Sequence, residues 1–164
     1  MAMIENQVFL TRKGYEQKQE RLEHCLYLLY EIIPKRLKLA KGNYYELSEN
    51  REYIDIEGER ELLKAEARRL ETLLDKARII EEHAINVDSI GLGAWVILEI
   101  EGRPGKQLVL ELVSPEEVDL ERNCISTASP LGQLLLGKKK GNKVKINTAS
   151  GTTTYKVIGI RRTP

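Results

Sequence analysis

The apolar pattern of residues 53–77 predicts a long amphipathic helix. Seam positions recur at alternating spacings of three and four over more than three heptads, interrupted by one arginine. They are Tyr53, Ile56, Arg60, Leu63, Ala67, Leu70, Leu74 and Ala77. An earlier segment has the same spacing at Tyr15, Gln19, Leu22, Leu26, Leu29 and Ile33. Because apolar stripes of equal period bury each other, the sequence predicts two helices of about 30 residues packed as a coiled-coil hairpin, each about 45 Å long.

Local signals predict where these helices begin, bend and end. Thr11 stands at an N-cap position, where its hydroxyl can accept a hydrogen bond from the first turn. Pro34 lacks a backbone donor and is expected to bend the first helix. Gly42 breaks that helix. The second helix is expected to begin around Ser48 and to end near Glu82.

The period shortens to strand length after residue 93. Residues 94–100 and 107–113 are β-rich runs joined by a turn with two glycines and a proline, which predicts a β-hairpin. Ser129 as a cap, with proline after it and Gly137 at the end, predicts one short helix. Residues 143–147 and 152–160 are further strand candidates. We therefore expect an α+β chain, with a helical hairpin in residues 1–84 and a small, mostly antiparallel β domain in residues 85–164.

Charge is distributed unevenly although the net charge is only +1. Residues 46–61 include seven acidic and two basic residues. Residues 123–164 include eight Lys or Arg and no Asp or Glu. This asymmetry indicates a partner with opposite charges at two places. The basic residues Lys35, Arg36, Lys38 and Lys41 could pair with the acidic start of the second helix or contact phosphates. Lys138, Lys139 and Lys140 could steer the chain toward nucleic acid or an acidic surface, or form a solvated turn; we expect no stable DNA complex by this chain alone.

Several site classes are disfavoured by the composition. Cys25 and Cys124 lie in different segments without a CxxC motif, as expected of reduced, partly buried thiols in a cytosolic protein. His24 and His83 have no ligand partners at metal spacing, so no stably bound metal is expected. The start of the chain does not resemble a signal peptide, and no run approaches the roughly 18 apolar residues of a membrane span. We expect a cytoplasmic protein without a membrane partner.

Short motifs follow one another in order along nearly the whole chain. In the first half they are Leu10-Thr11, Gly14-Tyr15 and Leu47-Ser48-Glu49-Asn50-Arg51-Glu52-Tyr53. In the second half they are Gly93-Ala94-Trp95-Val96, Ile125-Ser126-Thr127-Ala128-Ser129-Pro130-Leu131-Gly132 and Leu135-Leu136-Gly137. Together, at these separations, they resemble the GreA/GreB family of bacterial transcript cleavage factors.

The resemblance implies a two-domain accessory factor rather than an enzyme. Its coiled coil would enter the secondary channel of RNA polymerase, and an FKBP-like C-terminal domain would dock on the rim of that channel. Ser129, Pro130 and Leu131 are the docking residues that the resemblance suggests, although a helix cap and a core leucine would explain the same residue types. Ala128 stands where some relatives carry Asp. A monomer is expected.

The resemblance also implies how the factor acts. Glu46 and Glu49, at the tip of the hairpin, would help to hold the second Mg²⁺ of the polymerase and position water, so that the 3′ end of a backtracked RNA is removed. The factor would have no cofactor of its own and only indirect contact with the RNA. Carboxylate oxygens suit Mg²⁺, two-metal cleavage places the ions about 4 Å apart, and acids three residues apart on a helix are neighbours.

Departures from the family pattern leave alternatives open. Glu46 replaces the usual Asp and Tyr45 the usual Gly, which lengthens one side chain and disfavours a turn with positive φ. A related factor that occupies the channel and inhibits the polymerase without cleavage is therefore a second hypothesis. A prolyl isomerase is a third, although after Trp95 the only aromatic residue is Tyr155. A coiled-coil adaptor with a merely solvated acidic tip is the fourth.

Overall fold

The computed structural model describes residues 7–42, 50–148 and 151–164. These residues divide into two units. The first contains residues 15–77, and the second combines residues 7–14 with residues 78–164. Within the described ranges, no helix has both the length and the apolar character needed to cross a membrane.

The first unit is helical. Its elements are α1 Arg12–Tyr27, a π-helical segment Leu28–Ile32, α2 Ile33–Lys41 and α3 Arg51–Lys76. Pro34 lies in the first turn of α2 and has no backbone N–H to donate to the preceding turn. The π segment before it explains how the proline fits, because the regular i to i−4 hydrogen bonds are already interrupted there. In this segment the amide of Ile33 donates to the carbonyl of Leu28, five residues earlier. The regular α-helix is thus interrupted just before Pro34, whereas the predicted bend of the first helix stays a prediction.

The predicted seam forms the core of this unit. The buried members of the predicted seam are Ile33, Ile56, Leu63, Ala67 and Leu70. Cys25 and Ala40, which were not among the predicted positions, are buried with them. The prediction was wrong where Gln19 is exposed, where Cys25 is more deeply buried than Leu26, and where Leu73 is more deeply buried than Leu74. An α-helix drifts by about 20° per heptad relative to a strict seven-residue repeat, which moves burial to a neighbouring residue near the end of α3.

The two ends of α3 also differ from the prediction. The helix begins at Arg51, after an N-cap at Asn50, rather than around Ser48. It ends at Lys76 rather than near Glu82, because Ala77–Ile80 form strand β2 and pair with strand β1, Val8–Thr11. A partner strand from the start of the chain thus satisfies backbone groups that a longer helix would have satisfied internally.

The second unit contains a five-stranded sheet. Its strands are β3 Trp95–Ile100, β4 Gln107–Val113, β5 Cys124–Ser126, β6 Lys143–Thr148 and β7 Gly151–Arg161. Their order is β5-β4-β3-β7-β6, and only β4 and β5 run parallel. The predicted hairpin is β3–β4, and the predicted short helix is α4 Pro130–Leu135. The α+β fold class is confirmed.

One face of the sheet and α4 enclose the core of this unit. Its buried residues are Ile90, Val96, Leu98, Leu110, Leu112, Leu135, Val144 and Val157. Leu131 and Tyr155 pack against this cluster and are partly buried. Alternation along β3 and β4 places Val96, Leu98, Leu110 and Leu112 on the same side, as a sheet with one covered face requires.

Candidate functional site

Glu46 and Glu49, the predicted tip acids, lie in residues 43–49, outside the described residues. The helix ends on either side are described. α2 ends at Lys41 with Gly42 as its C-cap, and α3 starts after Asn50. The acid-bearing stretch therefore connects two defined helix ends.

Asn50 fastens these two ends together. Its Oδ1 accepts a hydrogen bond from the Tyr53 amide at 3.0 Å, which caps α3. Its Nδ2 donates to the Ala40 carbonyl oxygen in α2 at 2.9 Å, and the residue is 1% exposed. Lys41 adds a cation–π contact, with Nζ 5.5 Å from the centroid of the Tyr53 ring. Our sequence interpretation treated Asn50 only as part of a motif, although an asparagine directly before an apolar-periodic run is an N-cap signal.

The basic residues of α2 are partly paired with acids. Arg36 Nη1 lies 2.6 Å from Glu59 Oε2 of α3, and Lys35 Nζ lies 3.3 Å from Glu31 Oε2. Pairing with the acidic half of α3, one of the two predicted roles of this patch, is therefore confirmed for Arg36. These side chains are more than 40% exposed, so each pair stabilises the fold by no more than about 1 kcal/mol.

The predicted docking residues Ser129, Pro130 and Leu131 form the start of α4. Ser129 Oγ accepts a hydrogen bond from the Gly132 amide at 3.1 Å and donates to the Ser126 carbonyl oxygen at 2.7 Å. The predicted helix cap is confirmed. Leu131 packs against the core, whereas Pro130 is exposed. Of the three, Pro130 is the residue with most surface available to a partner.

Gly132 explains how α4 comes so close to β5. A Cβ at this position would lie 2.0 Å from the carbonyl oxygen of Ser126, and Gly132 is buried. The loop before α4 is also ordered by the Ala128 amide, which donates to Ser126 Oγ at 2.9 Å. The surface around Pro130 is thus held by hydrogen bonds and a close backbone contact.

Lys138, Lys139 and Lys140 form a turn in which two of the backbone amides are hydrogen-bonded. The Lys138 amide donates to the Leu135 carbonyl, and the Lys139 amide donates to Asn142 Oδ1 at 2.9 Å. Lys139 and Lys140 are exposed, and Lys138 is half-buried. The turn exposes the side chains of Lys139 and Lys140 to solvent. Such exposure is compatible with both predicted roles, steering toward an acidic partner and a merely solvated turn.

A buried thiol on β5 lies beside a half-buried carboxylate on β4. Cys124 Sγ lies 3.7 Å from Glu111 Oε2. Burial, followed by the charge of Glu111, raises the pKa of Cys124 to about 11, and burial is the main cause of the raised pKa of Glu111. Both described cysteines are free, as predicted, and Cys124 is therefore a protonated, weakly reactive thiol at neutral pH.

The described residues also bear on a metal site and on the prolyl isomerase site of the third hypothesis. No group of three or more His, Cys, Asp or Glu side chains among them could hold a metal ion. The two aromatic residues considered for a prolyl isomerase site are separated, because Trp95 starts β3 whereas Tyr155 pairs with Ile100 at its other end. Five residues of strand correspond to about 16 Å, too far to line one small pocket together.

Comparison with known proteins gives matches over both halves of the chain. Residues 8–79 match the family model described as "Transcription elongation factor, N-terminal", and residues 85–162 match "Transcription elongation factor, GreA/GreB, C-term". The transcription elongation factor GreA of Thermosipho melanesiensis is 36% identical over 154 residues, covering 94% of this chain and 96% of that protein. GreA of Clostridium perfringens is 31% identical, covering 98% of this chain and 100% of that protein.

Among solved structures, the GreA factor homolog 1 of Thermus thermophilus is 30% identical and covers 95% of this chain and 99% of its own, with a TM-score of 0.42. The two family matches and the relatives that align along nearly the whole chain show the family directly. The chain belongs to the GreA/GreB family of transcription elongation factors.

Proposed function

We propose that this elongation factor binds RNA polymerase, places its coiled coil in the secondary channel and stimulates the cleavage of backtracked RNA by the polymerase. It is an accessory factor rather than an enzyme in its own right. It works as a monomer in the cytoplasm and contacts the RNA 3′ end only indirectly. The relatives named as GreA elongation factors support this function, because they match the chain along nearly its whole length.

The observation that carries the proposal is the fastening of the two helix ends beside the acid-bearing stretch. Asn50 joins α2 to α3 through one buried side chain, with bonds of 2.9 and 3.0 Å. Positioned reactions are sensitive to displacements of about 1 Å, so a stretch that carries catalytic ligands benefits from fixed ends.

Glu46 and Glu49 are the proposed ligands for Mg²⁺ of the polymerase. Their oxygens are hard donors of the kind that Mg²⁺ prefers. Glu49 lies in the motif that resembles the family pattern, whereas Glu46 takes the place of the usual Asp. In two-metal phosphodiester cleavage, the ion stabilises the attacking and leaving oxygens. The chain itself contributes carboxylates and needs no metal when it is free.

Pro130 is the proposed centre of the docking contact. It is exposed at the start of α4, after a loop ordered by Ser126 and Ser129, so little conformational entropy is lost when a partner covers it. Ser129 and Leu131 support this surface through the helix cap and the core. Replacing Pro130 by Ala is therefore expected to weaken binding to the polymerase more than it changes stability.

The test is an RNA cleavage assay on purified polymerase stalled in a backtracked complex, at several Mg²⁺ concentrations. Addition of the factor should cause the polymerase to shorten its RNA. The double variant E46A/E49A should bind the polymerase normally and lose this activity. The control E52A/D55A removes the same charge from exposed positions of α3 and should retain the activity.

The outcomes separate the proposed function from its alternatives. If the polymerase does not shorten its RNA in the presence of the unaltered factor and elongates more slowly, the result would favour the second hypothesis. In that hypothesis, suggested by Tyr45 and Glu46, the factor inhibits the polymerase without cleavage. An adaptor without chemistry would keep its full effect on transcription in E46A/E49A. Equal loss in E46A/E49A and E52A/D55A would show that only the bulk negative charge matters.

A further inference from the structure

A pocket of about 410 Å³ opens beside β3 and β7, within the second unit. Its walls come from the segment before β3, from β3 itself, from the lysine turn and from the end of β7. They include Val87, Ile97, Lys140, Ile158, Ile160 and Arg161. Pockets that bind ligands commonly have volumes of about 300 to 1,000 Å³. We call this site the β7 pocket.

A β-bulge in β7 shapes the floor of the β7 pocket. The pairing of β3 with β7 shifts between Ile97 and Leu98, which leaves Ile158 as an extra residue of β7. Val157 and Ile160 both contact the core although they are three residues apart, which strict alternation along a strand would not allow. Bulges re-aim side chains in this way and are frequent beside functional sites. The bulge therefore accounts for the place of Ile158 in the lining.

Two exposed cations line the β7 pocket. The turn that carries Lys140 is tied to β7 by two backbone hydrogen bonds to Val157, of 2.7 and 2.9 Å. Arg161 is the last residue of β7 and lies opposite Trp95 of β3. None of the described lining residues is an Asp or Glu, and Asp88, next to Val87 in sequence, lies outside the lining. The pocket therefore offers two positive charges and no negative one.

The lining favours an acidic protein segment over a nucleic acid. Two cations beside aliphatic side chains match a carboxylate that is next to an apolar residue. Proteins usually hold unpaired bases by stacking them on aromatic rings, and none of the described lining residues is aromatic. The charge of the surrounding chain agrees, because residues 123–164 contain eight Lys or Arg and no Asp or Glu. A complementary partner surface is therefore acidic.

We propose that the β7 pocket binds an acidic, partly apolar segment of RNA polymerase. Lys140 and Arg161 pair with its carboxylates, and Val87 and Ile158 cover its apolar part. This inference rests on the proposed function, because it adds a second contact to the docking of the factor. It also gives Lys140 a role that Lys139, outside the lining, does not share.

The binding test compares K140A/R161A with the control K139A/K145A, which removes the same charge from exposed residues outside the lining. Each factor is titrated onto immobilised, purified RNA polymerase stalled in a backtracked complex. K140A/R161A should raise the half-saturating concentration about 10-fold. The control should raise it by less than about 2-fold. The difference should shrink at high salt, because salt screens exposed charges.

Two substitutions of Val87 test the sign of the partner's charge. Val87 is 40% exposed, so V87E and V87K should both fold. V87E should weaken binding about 10-fold, because it places a carboxylate against an acidic segment, whereas V87K should bind at least as tightly as the unaltered factor. Equal weakening by both would overturn the assignment of an acidic partner. This comparison decides the question even if K140A/R161A does not fold.

Fluorescence of the free variants checks that the pocket is intact. Trp95 is the single tryptophan of the chain and lies opposite Arg161 in the sheet. Its emission spectrum and the Tm should be the same in V87E and V87K. A loss of binding in V87E alone then reports the charge rather than a change in the fold.

Photo-crosslinking identifies what occupies the pocket. p-Benzoylphenylalanine in place of Val87 should crosslink, in the stalled complex, to a polymerase peptide that carries Asp or Glu, as identified by mass spectrometry after digestion. The same label in place of Lys145, outside the lining, should not reach that peptide. Crosslinks from position 87 to RNA or DNA would overturn the proposal in favour of a nucleic acid.

The results separate this inference from the proposed function. No binding of the unaltered factor to the polymerase would refute both. Binding without RNA shortening would refute the proposed cleavage, while the titrations would still decide on the pocket. Unchanged binding of K140A/R161A and V87E, with normal RNA shortening, would refute the inference alone. Equal losses in K140A/R161A and K139A/K145A would show that only the overall positive charge matters, and would also overturn the inference.

Discussion

At the scale of single residues, Asn50 shows how one side chain serves two helices. Its carbonyl oxygen caps α3, while its amide nitrogen satisfies the Ala40 carbonyl near the end of α2. The ends of a helix leave backbone N–H and C=O groups without partners inside the helix. The buried side chain of Asn50 forms a hydrogen bond with one such group of each helix. The side chain thereby defines the separation of the two ends beside the acid-bearing stretch.

Replacing Asn50 by Ala should therefore destabilise the first unit by about 2 kcal/mol. Loss of the cap costs about 1 kcal/mol, and an unsatisfied Ala40 carbonyl about 1 kcal/mol more. N50S, which can still cap but is too short to reach Ala40, should lose about half as much. Urea denaturation measures these free energies of unfolding.

Asn86 provides the control for this prediction. Its Oδ1 also accepts a backbone hydrogen bond, from Asp88 at 2.8 Å, but the residue is exposed. N86A should change the free energy of unfolding by less than about 0.5 kcal/mol. Equal losses in N86A and N50A would contradict the role assigned to the buried bridge.

At the scale of elements, the seam between the helices carries the stability of the first unit. Leu63 is 8% exposed and belongs to the core, whereas its neighbour Leu62 is 74% exposed. The π segment Leu28–Ile32 does not abolish the seam, because Ile33 and Ala40 beyond it are buried again. The extra residue of the π segment thus accommodates Pro34 while the apolar face continues.

The adjacent pair Leu62 and Leu63 allows a matched measurement. L63A should destabilise the first unit by about 2 to 4 kcal/mol, since it removes buried methyl groups and leaves a cavity. L62A should cost less than about 0.5 kcal/mol, because its side chain already faces water. Helical circular dichroism followed against urea measures both. Similar losses at the two positions would contradict the predicted packing.

At the scale of the whole molecule, each unit contains its own core and its own free cysteine. Cys25 is completely buried in the first unit, and Cys124 is 8% exposed in the second. Burial raises the pKa of both thiols, that of Cys124 to about 11. Reaction with a thiol reagent near neutral pH therefore reports the opening of the unit concerned.

We expect the two thiols to become reactive at different urea concentrations. Two units with separate cores need not unfold together. Labelling at a series of urea concentrations, followed by mass spectrometry of the two cysteine peptides, measures each transition. The variants C25S and C124S assign the signals. One common midpoint for both peptides would show that the molecule unfolds as a single cooperative unit.

Much of the fold could be predicted from neighbouring residues. The β3–β4 hairpin follows from two apolar runs around a Gly/Pro turn, and the α4 cap follows from Ser129 before Pro130. The seam of α3 follows from its heptad spacing. Glu46 and Glu49 stay predictions for the candidate site, because residues 43–49 lie outside the described part of the chain.

The sequence by itself determined the periods, the caps and the family motifs, since each of these depends on residues close together in the chain. Only the tertiary structure decided that Ala77–Ile80 form a strand with Val8–Thr11, and that Glu117 binds Thr11 across 106 positions. A local pattern favours helix or strand but cannot specify which distant backbone will satisfy its hydrogen bonds. Helix α3 ends at Lys76 because a partner strand is present there, and Gly14 is explained by the carboxylate of Glu117, from a distant part of the chain.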